Sequence, residues 1–184
     1  MVHPSRRVEW PRTDLTVLLG EQQQRIEWQF RRTLVAVGED RHTRFGELAW
    51  LIAVHESIEE EIVHPITRHL EPAQHLAEHL LDEERRISDA LDDATRADAA
   101  AGLGRTDGLG VLHGMLLAHM RHEQREEFPR LRAAVTAGEL CALGDAARAA
   151  QAVAIAESPL RPGVPGASLA VRDMLRPVTL QVAV

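Results

Sequence analysis

Two stretches of this chain carry the same pattern: an apolar stripe, then His-x-x-x-Glu, then Pro. His55, Glu59 and Pro65 each recur 64 residues later, as His119, Glu123 and Pro129. Leu48, Leu51 and Ile52 lead into the first block, and Leu112, Met115 and Leu116 lead into the second. A spacing of four places imidazole and carboxylate on one helix face, with Cβ atoms about 5–6 Å apart. His55 lies seven residues after Leu48 and Glu59 eleven, so both continue the apolar stripe into an interior. His119 and Glu123 stand in the same relation to Leu112. One unpaired buried carboxylate costs several kcal/mol, and two in one core need a cation between them. A metal ion is the economical choice, since imidazole and carboxylate on facing helices are the ligands that helix bundles use. His122 and Glu126 share the spacing, but without the repeat.

The remaining periodicity predicts an all-α chain. Apolar residues at Leu15, Leu18, Leu19, Ile26, Phe30, Leu34 and Val37 define a helix over 14–37, stopped by Gly38. Gly20 inside it costs about 1 kcal/mol relative to Ala. Asp40 is positioned to cap a second helix over 43–64, which Pro65 ends or kinks. Pro72 suits the first turn of a third helix running through Leu76, Leu80, Leu81, Ile87 and Leu91. A glycine-rich turn over 102–108 precedes a fourth helix over 109–132, interrupted near Pro129. Four helices of this length with short connections predict an antiparallel up-down-up-down four-helix bundle. It is preceded by an arm (1–12), occupies 13–137, and is followed by an Ala-rich helix (139–157), a Pro/Gly linker (158–166) and a tail within the region 138–184.

Composition narrows the chemistry. Twenty-one Lys and Arg against 28 Asp and Glu leave a net charge of −7. That balance argues against nucleic acid as a partner and against a membrane surface. The longest apolar run is far shorter than the roughly 20 residues that span a bilayer. The first residues contain no apolar core of a secretory signal, and the single Cys141 excludes an internal disulfide framework, so a cytoplasmic location is expected. With no Tyr, a phenolate ligand or tyrosyl radical is excluded. Cys141 reads as a small packing residue, and Trp10, Trp28 and Trp50 as packing or surface anchors. His64 and His69 flank Pro65 without an evident role.

The segments Asp14-Leu-Thr-Val-Leu-Leu-Gly-Glu-Gln, Leu51-Ile-Ala-Val-His-Glu-Ser-Ile-Glu and Ala118-His-Met-Arg-His-Glu-Gln-Arg-Glu-Glu-Phe-Pro resemble bacterial hemerythrin-like (HHE cation-binding) proteins over 14–132. The resemblance implies a four-helix bundle with a non-haem di-iron centre that binds O2, handles peroxide or nitric oxide, or senses oxygen or iron. It carries His55, Glu59, His119 and Glu123 over as metal ligands. Two further histidines that such proteins supply are missing here: Gln23 stands at the first-helix position and Arg85 at the third-helix position. His79 is about 120° from Arg85 around the helix and is a poor substitute.

These departures shape the expected chemistry. An inward Arg85 adds fixed positive charge and disfavours two metal ions, or bridges Glu59 and Glu123 as a replacement cation. Alternatively it extends outward. The four carried-over ligands suffice for one octahedral ion and are thin for two unless Glu84, Glu60 or His122 joins; Gln23 offers a weak carbonyl donor. The expectation is therefore an altered centre with one or two irons, another divalent metal or none, acting on O2, peroxide or NO in a monomer or homodimer. A second reading makes the pocket an enzyme site for a small organic substrate, with Glu59 or Glu123 as general acid/base and Arg85 binding an anion. A third is a metal-free structural or regulatory bundle. His119→Ala then alters stability alone.

Overall fold

The computed structural model describes residues 13–70, 74–101 and 107–157, and these are helical almost throughout, without a strand among them. The first helix, α1, is Leu15–Val35, capped by Asp14, whose carboxylate accepts the Thr16 N–H at 2.7 Å. After Ala36 and Val37 the chain turns at Gly38, whose φ of +60° favours glycine. The second helix, α2, begins at that glycine rather than near Thr43. It runs over Gly38–Ile58, a π turn at Glu59–Val63, and a last turn at His64–Thr67. Asp40 lies inside it and pairs with Arg44 instead of capping.

The third helix, α3, is Gln74–Ala101. The fourth, α4, covers Asp107–His122, a π turn at Glu123–Glu127, and Phe128–Ala134. The last, α5, is Ala137–Glu157, opened by a reciprocal cap in which Glu139 accepts the Thr136 N–H and Thr136 accepts the Glu139 N–H. The arm (1–12), Pro72, the centre of the glycine-rich turn, the linker and the tail lie outside the described residues, as does Trp10. Among the described residues no helix is long and apolar enough to cross a membrane.

Neither proline ends its helix. A proline ring collides with the carbonyl four residues back in an α-helix and offers no N–H. Both helices answer with a wider turn just before it, closed by the His64 N–H on the Glu59 carbonyl and the Phe128 N–H on the Glu123 carbonyl. The two wide turns are 64 residues apart, as the His-x-x-x-Glu blocks are.

Packing divides the interior into two apolar clusters. One gathers Leu15, Leu18, Leu19, Ile58, Val63, Phe128 and Leu131 with the alanines of α5; the other gathers Ile26, Phe30, Phe45, Leu48, Ile52, Ile87, Leu112 and Leu116. Helices α1, α2 and α4 each pass from one cluster to the other, and the buried Gln23, His55, Glu59, His119 and Glu123 fall near the crossover. α5 packs against α1 and α2, and a Cβ on Gly144 would collide with the Thr13 carbonyl oxygen. Cys141 is half-buried, and Trp28 is exposed under the Arg32 guanidinium.

Candidate metal centre

His55, Glu59, His119 and Glu123 are all buried, with the carboxylates fully enclosed. Within each block the imidazole Nε2 lies beside the carboxylate Oε1, at 3.4 Å for His55–Glu59 and 3.3 Å for His119–Glu123. The blocks also meet each other. One donor atom from each of Glu59, Glu84, His119 and Glu123 lies within 4.8 Å of all the others. Ligands about 2.1 Å from one ion are about 3 Å apart when adjacent and little over 4 Å when opposite, so slight contraction fits this set to one ion.

His55 lies outside this four-residue set, beside Glu59. Here both oxygens of Glu59, Glu84 Oε2, His119 Nε2 and Glu123 Oε1 have no hydrogen-bond partner, as does the neighbouring His55 Nε2; Glu127 Oε2, His113 Nε2 and Trp50 Nε1 share that condition outside the set. Except at Glu59, whose two oxygens are both unpartnered, the other atoms of the inner groups are held from behind. Gln22 Oε1 accepts from His55 Nδ1 at 3.0 Å, and Glu83 Oε2 accepts from His119 Nδ1 at 3.0 Å, which leaves each Nε2 facing inward. Gln23 donates to Glu123 Oε2 at 2.8 Å and accepts from Gln124 at 2.6 Å. Outer partners that fix the tautomer and orientation of ligands accompany metal sites. A core of purely structural polar groups would satisfy the inner atoms as well.

Charge in the dry interior is visible in the acidities. Burial and the facing Glu123 push the Glu59 carboxyl well above its usual range, and burial raises Glu123 although His119 opposes it. Burial, then the nearby His119, lowers His55 to about 3. Burial acts in the same direction on His119, but Glu123, Glu83 and Glu84 outweigh it and raise His119 to about 9.

Arg85 does not enter the cluster. Its side chain lies on the surface, paired with Asp82 at 2.7 Å, and neither bridges Glu59 and Glu123 nor offers an interior anion site. Adjacent residues on a helix point about 100° apart, so the α3 residue that turns inward is Glu84. An interior cation beside the cluster is His64, which the sequence left without a role. Its Nε2 lies 2.6 Å from Glu84 and its Nδ1 3.1 Å from Glu127, whose carboxylate also accepts from Thr67 at 2.7 Å. Burial works against the charge, but the two carboxylates overcome it and hold His64 at about 10.

The π turn explains why His64 was missed. Nine residues past His55 is about 180° around a regular helix, the far side from the site. Absorbing one residue in a wider turn brings that angle to about 80°, and it brings Glu127 to within about 20° of His119. The trailing Pro of each block was the available signal. Glu60 is half-buried on the same wide turn, and His122 joins the Glu83 carboxylate at 3.3 Å outside the cluster.

The chain matches no protein-family profile, no curated protein and no solved structure.

Proposed function

We propose that this chain is a hemerythrin-like non-haem iron protein with an altered centre, in which one ion is held by Glu59, Glu84, His119 and Glu123, with His55 beside it. The observation that carries the reading is the convergence of unpartnered inner donor atoms, which on Glu84, His119 and Glu123 belong to side chains anchored at their outer atoms. A metal-free structural bundle would leave several carboxylate oxygens buried without compensation, at a cost of several kcal/mol.

The proposed scaffold is the antiparallel up-down-up-down four-helix bundle. It is supported by Gln29 of α1 bonding Glu47 of α2 while the earlier Gln22 bonds the later His55. It is also supported by α1 and α2 traversing the two apolar clusters in opposite order. Such a bundle places its ligands on facing helices at mid-length.

Bound iron would supply one-electron redox chemistry toward O2, peroxide or nitric oxide. The chain's own residues set the conditions for it. Gln22 and Glu83 fix the imidazole tautomers, Gln23 orients Glu123, and His64 offsets one of the two charges of Glu84 and Glu127 without occupying a ligand position. With His64 balancing Glu127, three ligand carboxylates face one divalent ion; a second ion would have only His55 and shared carboxylates to hold it. A cleft of about 310 Å³ is lined by Leu18, Arg25, Val54, Gln151 and Gln22, the residue that holds His55, and suits approach of a small molecule. The proposed setting is the cytoplasm.

The enzyme reading retains its acid/base pair in Glu59 and Glu123, whose pKa values are raised by burial, but loses its anion-binding arginine. Metal analysis of protein produced in iron-supplemented cells, with the Glu59→Gln/Glu123→Gln variant beside it, tests the proposal. One tightly held iron per chain, lost in the variant, is the expected result. Two tightly held irons both lost in that variant, or none after anaerobic reconstitution, would overturn it.

A further inference from the structure

On the outer side of the same helix pair lies a second group of metal-ligating side chains. His79 and Glu83 are one helical turn apart on α3, and His122 reaches them from α4. His79 Nε2 lies 3.3 Å from Glu83 Oε1, and His122 Nδ1 lies 3.3 Å from Glu83 Oε2. One donor from each residue falls within 4.8 Å of the other two. The two imidazole rings meet edge to face at 5.1 Å between centroids, so their nitrogens are held near one point rather than splayed apart. Ligands about 2.0–2.2 Å from a tetrahedral ion are about 3.4 Å from one another, close to the separations seen here.

We propose that His79, Glu83 and His122 form a second, half-exposed site for a divalent first-row transition-metal ion, linked to the interior through the Glu83 carboxylate. Two imidazoles and one carboxylate are the ligand set of open zinc-type sites, which keep a fourth position for water. His79 is more than half exposed, while Glu83 and His122 are about three-quarters covered. An ion can therefore arrive from solvent at a partly formed set of ligands. Glu83 is restrained from inside because its Oε2 also accepts from His119 Nδ1 at 3.0 Å. With Oε1 on the outer ion and Oε2 on His119, one carboxylate spans the two places. The outer site stands independently of the interior reading; only the linkage rests on it.

Titration of the full-length, metal-stripped protein with Co2+, followed by its visible absorption and by metal analysis, tests the site. Wild type is expected to take up one more equivalent than a His79→Gln/His122→Gln variant, and circular dichroism should show the variant folded, as these changes are away from the apolar clusters. The Glu59→Gln/Glu123→Gln variant should keep the outer equivalent and lose the inner one. Equal stoichiometry and equal affinity in wild type and the His79/His122 variant would overturn the outer site. If the Glu59/Glu123 variant loses nothing while the His79/His122 variant loses an equivalent, the interior reading fails and the outer site stands. A single His79→Gln change should weaken the outer equivalent alone; an unchanged Co2+ spectrum and affinity there would also overturn the proposal.

Discussion

The α1–α2 half and the α3–α4 half carry the same His-x-x-x-Glu block, yet the helix beside each block treats it differently. α1 offers amides, with Gln22 behind His55 and Gln23 on Glu123. α3 offers carboxylates, with Glu83 behind His119 and Glu84 on His64. An amide oxygen orients an imidazole with little effect on its charge, whereas a carboxylate also stabilises the imidazolium. His55 is accordingly lowered to about 3 by burial and by His119, while His119 stands at about 9 because carboxylates outweigh its burial. Repetition of a ligand motif thus does not create equivalent ligands. The carboxylates around each ring, Glu123 first and then Glu83 at His119, set what a metal must displace: nothing at His55, a proton at His119.

The largest effect expected from testing this asymmetry is on folding. His64→Leu removes the cation that only the α3–α4 carboxylates require, leaving Glu84 and Glu127 buried together. A loss of about 3–5 kcal/mol in urea unfolding of the metal-free protein is expected. Adding Glu127→Gln should recover part of it. Because folding raises His64 from 6.5 to about 10, its contribution is complete below about pH 6.5 and disappears as pH rises through about 10. The His64→Leu protein should lack that alkaline loss.

Next is metal affinity. Glu83→Gln makes the second half resemble the first and should weaken inner-site binding by about 10–100-fold. Wild-type affinity should fall as pH drops below about 9, since His119 and the Glu59–Glu123 pair must release protons. Calorimetric titration in buffers of different ionisation enthalpy would show fewer protons released by Glu83→Gln. Gly144→Ala tests the helix that covers the first half: its Cβ meets the Thr13 backbone, and a loss of about 1–3 kcal/mol is expected in thermal or urea unfolding. Gln22→Ala should weaken metal binding by less than Glu83→Gln, about threefold to tenfold, without altering proton release. Arg85→Ala should change neither metal content nor stability beyond about 0.5 kcal/mol, because its ion pair is solvated.

The helices were legible because apolar spacing is a local property. Leu15 through Phe30, Phe45 through Ile52, and Leu112 through Leu116 occupy the predicted interior. The four buried donors followed from extending those stripes by seven and eleven residues. Arg85 and Glu84 differ by one position, and one-residue alignment against a motif cannot separate residues that face about 100° apart. His64 was hidden for a related reason, since the wide turn that rotates it inward is a response to Pro65 rather than a feature of regular helical counting. Gln22 and Glu83 lie next to positions already marked by the motif, but their roles behind the rings required the packed partner helix.

The amino-acid order alone determined an all-helical chain and two imidazole–carboxylate blocks on inward faces, because those depend on residue spacing along one helix. Only tertiary structure decided which third carboxylate joins them, which cation balances the charge, and which imidazole is neutral. Each of those choices is made by atoms from different helices meeting in a medium too dry to forgive an unpaired charge.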